Sequence, residues 1–274
     1  MTSDPEGFRR LQEAGWERVA QAYGPAWASL TTQFVDPLLR AADLREGMKV
    51  LDVACGPGYV CEAALRLGAL PVGVDFVPAM VLEARRRNPT IEFVEGDAED
   101  LSFPSASWDR VVMNFGILHL ARPERSFAEA RRVLKRSGRF AFTLWPKPKD
   151  NPGAKIMNDA IQAHADTSVS VPEGPDAFHF ADEEVCRDAL ASAGFSRDSV
   201  RFETATALWL VPTPGFYFEA ERDAGVRGSA LLALQTPERL QAIRDAVERG
   251  VARHATDGGY SIPMIAHVIS AVPL

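Results

Sequence analysis

The chain has 274 residues, 46% of them hydrophobic, enough to bury a full core, most simply as one domain with insertions. Its formal net charge of −7 argues against nucleic acid or an anionic membrane surface as the main partner. The first residues are polar, without the apolar centre of a signal peptide, and no apolar run approaches the length of a membrane span.

Residues 16–40 read as helical, with a break near Gly24-Pro25. Apolar and aromatic residues recur at Trp16, Val19, Tyr23 and Trp27, as on an amphipathic helix packed against a core. The most informative stretch follows, Lys49-Val-Leu-Asp-Val-Ala-Cys-Gly-Pro-Gly58. Apolar residues crowd 50–54, as a strand buried on both faces requires. Asp52 sits inside that run and is expensive to bury without a polar partner, so something polar is expected at the strand's end. Gly56-Pro57-Gly58 then turns the chain, and 59–67 reads as a helix. Strand, glycine turn and helix bring bare backbone and a helix N-terminus close to a ligand.

A second short strand, 71–75, ends in Asp75. Its separation from Gly56 is roughly the 20 residues at which an acid reaches a ribose hydroxyl. Residues 91–97 form a third strand ending in Asp97, and 108–114 a fourth ending in Asn114. Gly138 to Trp145 supplies the fifth. Strands alternating with helices imply a parallel sheet covered on both faces. Ligands of such sheets bind outside the carboxyl ends of the strands, the rim on which these polar residues lie.

Beyond Trp145 the pattern loosens. Pro146, Pro148, Pro152 and Gly153 interrupt the chain, and helices are predicted over 154–165 and 182–193 with a polar loop over 167–175 between them. A long strand is predicted over 200–211 and a mostly helical insertion over 213–253. The last strand is predicted over 262–272, with Pro263 delaying its pairing.

The basic runs Arg85-Arg86-Arg87, Arg131-Arg132 and Lys135-Arg136 lie late in predicted helices, where cations suit the helix dipole and solvent. Cys55, Cys61 and Cys186 have neither zinc spacing nor an even count, which fits reduced thiols in a cytoplasmic protein. His164, His179, His254 and His267 show no metal-ligand spacing, so no metal is expected.

The dinucleotide fingerprint G-x-G-x-x-G would produce the same strand and turn, but Cys61 occupies its third glycine position. A nicotinamide-dependent oxidoreductase is therefore one alternative. A non-catalytic cofactor-binding or partner-binding protein that kept the fold is another.

From about Met48 to Trp145 the chain resembles the class I S-adenosylmethionine-dependent methyltransferases. It is most similar to the branch with the ubiquinone/menaquinone C-methyltransferases and many small-molecule methyltransferases. The match is carried in order by the 50–58 stretch, Val72-Gly-Val-Asp75, Gly96-Asp-Ala-Glu-Asp-Leu101, Phe103-Pro104, Trp108-Asp109, Leu118-His-Leu120 and Arg132-Val-Leu-Lys-Arg-Ser-Gly138. The resemblance implies a seven-stranded, mostly parallel, Rossmann-like α/β sheet with helices on both faces and helical insertions after strands 5 and 6. It implies one methyltransferase domain over 1–274, with an N-terminal helical lid at 1–45, a cofactor-binding core at 46–146 and the remaining strands with substrate-lid insertions at 147–274.

The same resemblance implies that Asp52, Gly56 and Gly58 hold the methionine end of S-adenosylmethionine. Asp75 would take the ribose hydroxyls, Phe76 and Met80 the adenine faces, Asp97 and the Ala98 amide the adenine edge, and the Asn114 backbone the ammonium. It departs from the family at Val77, where a capping Ser or Thr is usual, and at Ala54, where Gly is common.

His119 is either a general base toward the substrate or a residue that shapes the loop after the fourth strand. Candidate substrate walls are Tyr23, Trp27, Phe115, Trp145, Phe178, His179 and Phe216, which suggest a largely apolar or aromatic small molecule. Oxygen, nitrogen and carbon nucleophiles remain open, and S-adenosylhomocysteine would be the co-product.

Overall fold

The computed structural model describes residues 4–169 and 171–274. Residues 1–3 of the polar N-terminus and residue 170 of the expected 167–175 loop lie outside them.

The N-terminal helix begins earlier than its apolar pattern suggests. Helix α1 spans Pro5–Tyr23 because Asp4 caps it, accepting from the Gly7 amide at 2.8 Å, and proline opens the first turn. Gly24-Pro25 does not break the helix. The chain widens into a π-helical turn over Gly24–Ala28, which accommodates the proline, and continues as α2 (Ser29–Thr31), a tight turn at Thr32–Phe34 and α3 (Val35–Ala41).

The alternating region then supplies β1 (Lys49–Val53), α4 (Tyr59–Arg66), β2 (Leu70–Asp75), α5 (Pro78–Arg87), β3 (Glu92–Glu95), β4 (Trp108–Asn114), α6 (Pro123–Val133) and β5 (Leu134–Leu144). After it come α7 (Pro152–His164), α8 (Glu183–Ser192), β6 (Arg201–Val211), α9 (Phe216–Ala224), α10 (Arg227–Leu232), α11 (Pro237–Ala252), β7 (Ala255–Thr256) and β8 (Gly259–Ala271).

The sheet has the order β3-β2-β1-β4-β5-β8-β6. Strands β1 to β5 pair in parallel, while β8 runs antiparallel to both β5 and β6. The sheet path has the seven strands expected, and the two-residue β7 adds to it by pairing with β8 alone. Two expectations are corrected. β5 starts at Leu134 rather than Gly138, because Leu134 already pairs with Trp108 and the residues between it and Arg139 bulge out before the register with Arg110 resumes. β8 starts at Gly259, and Pro263 is paired with Leu208 of β6. Its missing N–H is tolerated because β5 joins β8 only from His267 onward, which leaves that side of Pro263 without a strand.

Order reverses between β1 and β4, so the switch point sits at the carboxyl ends of these two strands. One sheet face packs aromatics of α6, β5 and the following loops, including Phe127, Phe140, Phe142 and Phe195. The other packs α3 and α4 through Leu38, Leu39, Ala63 and Ala64. Helices α7, α9 and α11 share a third core around Trp209, Phe218, Ile243 and Val247.

Helix α1 lies across α5, burying Ala20 against Val77 and Met80. That docking explains the missing cap at Val77. Val77 makes no side-chain cap bond, and Glu17 of α1 instead accepts from the Ala79 amide at 3.1 Å. Helix α1 thus does for α5 what a local Ser or Thr usually does.

Candidate active site

The turn after β1 holds three residues in left-handed conformation: Ala54 at φ 55°, Gly56 at 50° and Gly58 at 83°. At Ala54 this costs an L-residue about 1–2 kcal/mol, which is the physical reason glycine suits the position better. A Cβ on Gly58 would lie 2.7 Å from the Phe93 ring, so only glycine lets the turn close on β3. Gly58 therefore supports the turn from behind, while Gly56 lines the cavity in front.

Asp75, at the end of β2, fixes this turn. Its Oδ2 accepts from the Gly56 amide at 2.8 Å and its Oδ1 from the Val77 amide at 3.0 Å. Burial pushes its carboxyl up to about 6, offset in part by these amides. Asp52 is the more extreme case. It is 1% exposed; Cys61 Sγ donates to Oδ2 at 3.5 Å, and buried Oδ1 has no partner. Burial pushes Asp52 up to about 8. The sequence expectation that burying Asp52 requires a polar partner is met only halfway within the protein.

Asn114 ends β4 and is tied on both sides. Its Oδ1 accepts from Thr143 at 2.7 Å and its Nδ2 donates to the Thr31 carbonyl at 3.3 Å. The same Thr143 hydroxyl accepts from the Phe115 amide at 2.9 Å, holding Phe115 at φ 57°. Strand β5 and helix α2 together thus set the residue that begins the loop after β4.

These groups open onto one cavity of about 310 Å³ at the switch point. On its floor lie Asp52, Gly56, Asp75, Phe76, Met80 and Asn114. Aromatic walls rise from Tyr23, Trp27, Phe115, Trp145 and Phe178. Phe115 and Trp145 stack at 3.9 Å, and Trp27 stacks on Trp209 at 5.1 Å. Asp97 and Ala98 line a side pocket of about 20 Å³ that shares Ala54, Phe76 and His119 with the main cavity.

Two expected wall residues do not reach the cavity. His179 opens a short turn and packs edge-on against Phe180 at 4.9 Å. Phe216 faces Trp209 at 6.0 Å, because the phase of α9 turns the next residue, Tyr217, toward the cavity instead.

His119 Nδ1 lies 2.9 Å from Gln12 Oε1, so the ring proton is assigned to Nδ1 as donor. Trp16 packs edge-on to the imidazole at 4.8 Å. Burial, reinforced by the nearby Arg227 charge, pushes His119 down to about 3, so the ring is neutral at physiological pH.

Residues from the N-terminal helix and the late insertion complete the walls without having been expected there. They are Thr31, Glu221 and Arg227, beside the aromatics Trp16 and Tyr217. One signal was available: Glu221 shares the α9 face of buried Tyr217, Ala220 and Ala224, an unusual place for an acid. Among the described residues no cluster of His, Cys, Asp or Glu is arranged to hold a metal ion, and no helix is long and apolar enough to cross a membrane.

Comparison with known proteins defines the class. Residues 51–142 match the family model described as a methyltransferase domain. A demethylmenaquinone methyltransferase of Thermus thermophilus is 32% identical over 190 residues, covering 61% of this chain and 83% of that protein. This chain belongs to the class I S-adenosylmethionine-dependent methyltransferases. A demethylmenaquinone methyltransferase of Paenarthrobacter aurescens is 30% identical over 146 residues, or 53% of this chain, and the chain spans only 58% of that relative's length.

Among solved structures, a phosphoethanolamine N-methyltransferase of Haemonchus contortus is similar, in complex with phosphomonomethylethanolamine and S-adenosylhomocysteine. It superposes with a TM-score of 0.57 at 17% identity, over 97% of this chain and 60% of that one, a likeness of fold.

Proposed function

We propose that this protein transfers a methyl group from S-adenosylmethionine to an oxygen, nitrogen or carbon nucleophile of a small, largely apolar or aromatic molecule. The observation that carries the reading is buried Asp52, one carboxylate oxygen without a partner, lining the same cavity as a wall of stacked aromatics.

The residues present fit the cofactor. An orphaned buried carboxylate oxygen requires a donor, and the cofactor's ammonium is one. Asp52 and the Asn114 backbone would hold that ammonium, with the Gly56 turn against the methionine chain and Gly58 bracing it. Each Asp75 oxygen takes one backbone amide and keeps a lone pair for a ribose hydroxyl. Phe76 and Met80 would flank the adenine, whose edge would meet Asp97 and the Ala98 amide in the side pocket.

Bound there, S-adenosylmethionine supplies an electrophilic methyl group. The chain itself contributes orientation and exclusion of water, for which Tyr23, Trp27, Phe115, Trp145 and Phe178 are placed. His119 acts by fixing the loop after β4 against Gln12, not as the base. We read the chain as one domain acting on a small molecule rather than nucleic acid, in keeping with its net charge of −7. The three cysteines are buried and free, which suits the reducing cytoplasm.

Titration calorimetry with S-adenosylhomocysteine and with NAD tests the cofactor. Saturable binding at micromolar to sub-millimolar concentrations is expected for the first alone, and NAD binding without a response to S-adenosylhomocysteine would overturn the reading. A mass-spectrometric methyl-transfer screen against phenols, quinols, amines and carboxylates then identifies the nucleophile.

A further inference from the structure

The wall built by the turn between α9 and α10 carries a single acid, Glu221, and a single base, Arg227. Arg227 is committed elsewhere. Its Nη1 donates to the Leu118 carbonyl at 3.2 Å, its Nη2 to the Pro175 carbonyl at 3.0 Å, and its guanidinium lies 5.0 Å over the Phe8 ring. It bolts the insertion to the lid helix and to the loop after β4.

Glu221 meets the Gly228 amide but has no charged partner. Among the described residues no cation lies within ion-pair distance of it, and Arg244, Arg222 and Arg18 on neighbouring turns pair with other groups. Its carboxylate occupies a niche left by two glycines. A Cβ on Gly228 would fall 1.9 Å from Glu221 Oε1, and one on Gly225 would fall 2.7 Å from it. The turn is shaped around this side chain, which faces a cavity otherwise walled there by Tyr217, Ala224 and Val226.

We propose that Glu221 selects the substrate: an apolar or aromatic body carrying one hydrogen-bond donor, an ammonium or a hydroxyl, and not an anion. The inference rests on the methyltransferase reading of the same cavity and narrows its substrate class. A carboxylate in an apolar wall lacks solvent to satisfy it, so a ligand that brings a donor gains a charge-assisted hydrogen bond. A ligand that brings a carboxylate meets repulsion in a place where little water screens it. Loss of water pushes the Glu221 carboxyl up to about 7, offset in part by the Gly228 amide, which keeps the group responsive to what the ligand presents.

Four probes of similar size test this by calorimetry on the full chain saturated with S-adenosylhomocysteine: phenethylamine, 2-phenylethanol, 3-phenylpropanoate and propylbenzene. The wild type should bind at least one of the two donor probes about tenfold or more tightly than the anion, the range expected for a hydrogen bond to a charged group. If the donor is an ammonium, Glu221→Gln should abolish the preference for phenethylamine. If it is a hydroxyl, Glu221→Gln should keep 2-phenylethanol binding and Glu221→Leu should lose it.

In either case propylbenzene affinity should stay within about threefold, since its contacts are apolar. The same ranking of probes in wild type and both folded variants would overturn the proposal, as would failure of both donor probes to bind the wild type. Failure to bind S-adenosylhomocysteine itself would instead overturn the underlying methyltransferase reading.

Discussion

Arg9 of helix α1 forms an ion pair with Asp97, the carboxylate beyond β3 that also accepts from the Glu99 amide at 2.9 Å. One side chain of α1 thus reaches the residue proposed for the adenine edge. Both partners are partly exposed, so the pair is worth about 1 kcal/mol or less. Burying Phe8 or Val19 of the same helix contributes roughly 1.5–3 kcal/mol each. Helix α1 is therefore held by its apolar face and aligned by Arg9. Arg9→Ala should speed amide exchange over 5–23 by no more than about fivefold, and Phe8→Ala far more. Equal loosening in the two variants, read by hydrogen-exchange mass spectrometry, would contradict this ranking.

Asp75 both closes the turn after β1 and faces the cavity, so its variants should separate those roles. Asp75→Asn keeps one acceptor oxygen but loses the charge. It should weaken S-adenosylhomocysteine binding by about 1–3 kcal/mol and, because its NH2 group leaves one of the two amides without an acceptor, lower stability by about 1–3 kcal/mol. Asp75→Ala also strands the Gly56 and Val77 amides and should destabilise the fold by about 1–3 kcal/mol for each. Unchanged affinity in a folded Asn variant would remove Asp75 from the ribose site.

Three carboxyls, buried Asp52 and Asp75 and partly buried Glu221, are pushed up by lost solvation to about 8, 6 and 7. Unfolded, such groups ionise near 4, so their contribution to stability is present below about pH 4 and lost as pH rises through the raised values. His119 works in the opposite direction. Pushed down to about 3 in the fold, it favours the native state above about pH 6.5 and opposes it below. Between pH 7 and 8.5 the carboxyls act together with the thiols of Cys55, Cys61 and Cys186, which burial pushes up while unfolded cysteines ionise at about 8.5, and the melting temperature of the ligand-free protein should fall. Asp52→Asn should flatten that fall. S-adenosylhomocysteine affinity should rise over the same interval in the wild type, by at most about tenfold per pH unit, as Asp52 ionises to meet the ammonium.

His119 separates chemistry from loop structure. A general base would lose about 10²–10⁴-fold in rate on replacement by Ala, with cofactor affinity preserved. A ring that titrates near 3 and hydrogen-bonds Gln12 predicts something else. His119→Ala should lose less than about tenfold in rate and some stability, His119→Asn less of both because its amide can still donate to Gln12 Oε1, and Gln12→Ala should resemble His119→Ala. The rate between pH 5 and 8 should show no step that disappears with His119. A steep loss in both His119 variants at intact stability would restore the base.

The strand-end half of the cavity was legible because local chemistry fixes it. A run of apolar residues broken by Asp52, then glycines, can only be a buried strand meeting a polar requirement, and Asp75 and Asn114 mark strand ends in the same way. What tertiary packing decides was not legible. The apolar stripe of α9 does not say that Tyr217 rather than Phe216 meets the cavity, since that depends on how the helix is rotated against Trp209. Nor does a lone Glu17 announce that it caps a helix 62 residues away. The π-helical turn at Gly24-Pro25 was read as a break because proline removes a donor, while the wider turn absorbs the loss.

The cavity is assembled from two sources in the chain. Its floor comes from residues within 51–142, the stretch that matches the methyltransferase domain, whereas Tyr23, Trp27, Trp145, Phe178, Tyr217 and Glu221 all lie outside it. Mutational drift can therefore reshape the walls without disturbing the strand ends beneath them. Lineages built on this plan are free to diversify their chemistry at constant cofactor, and a transplanted 213–253 segment is the natural unit in which such a change would travel.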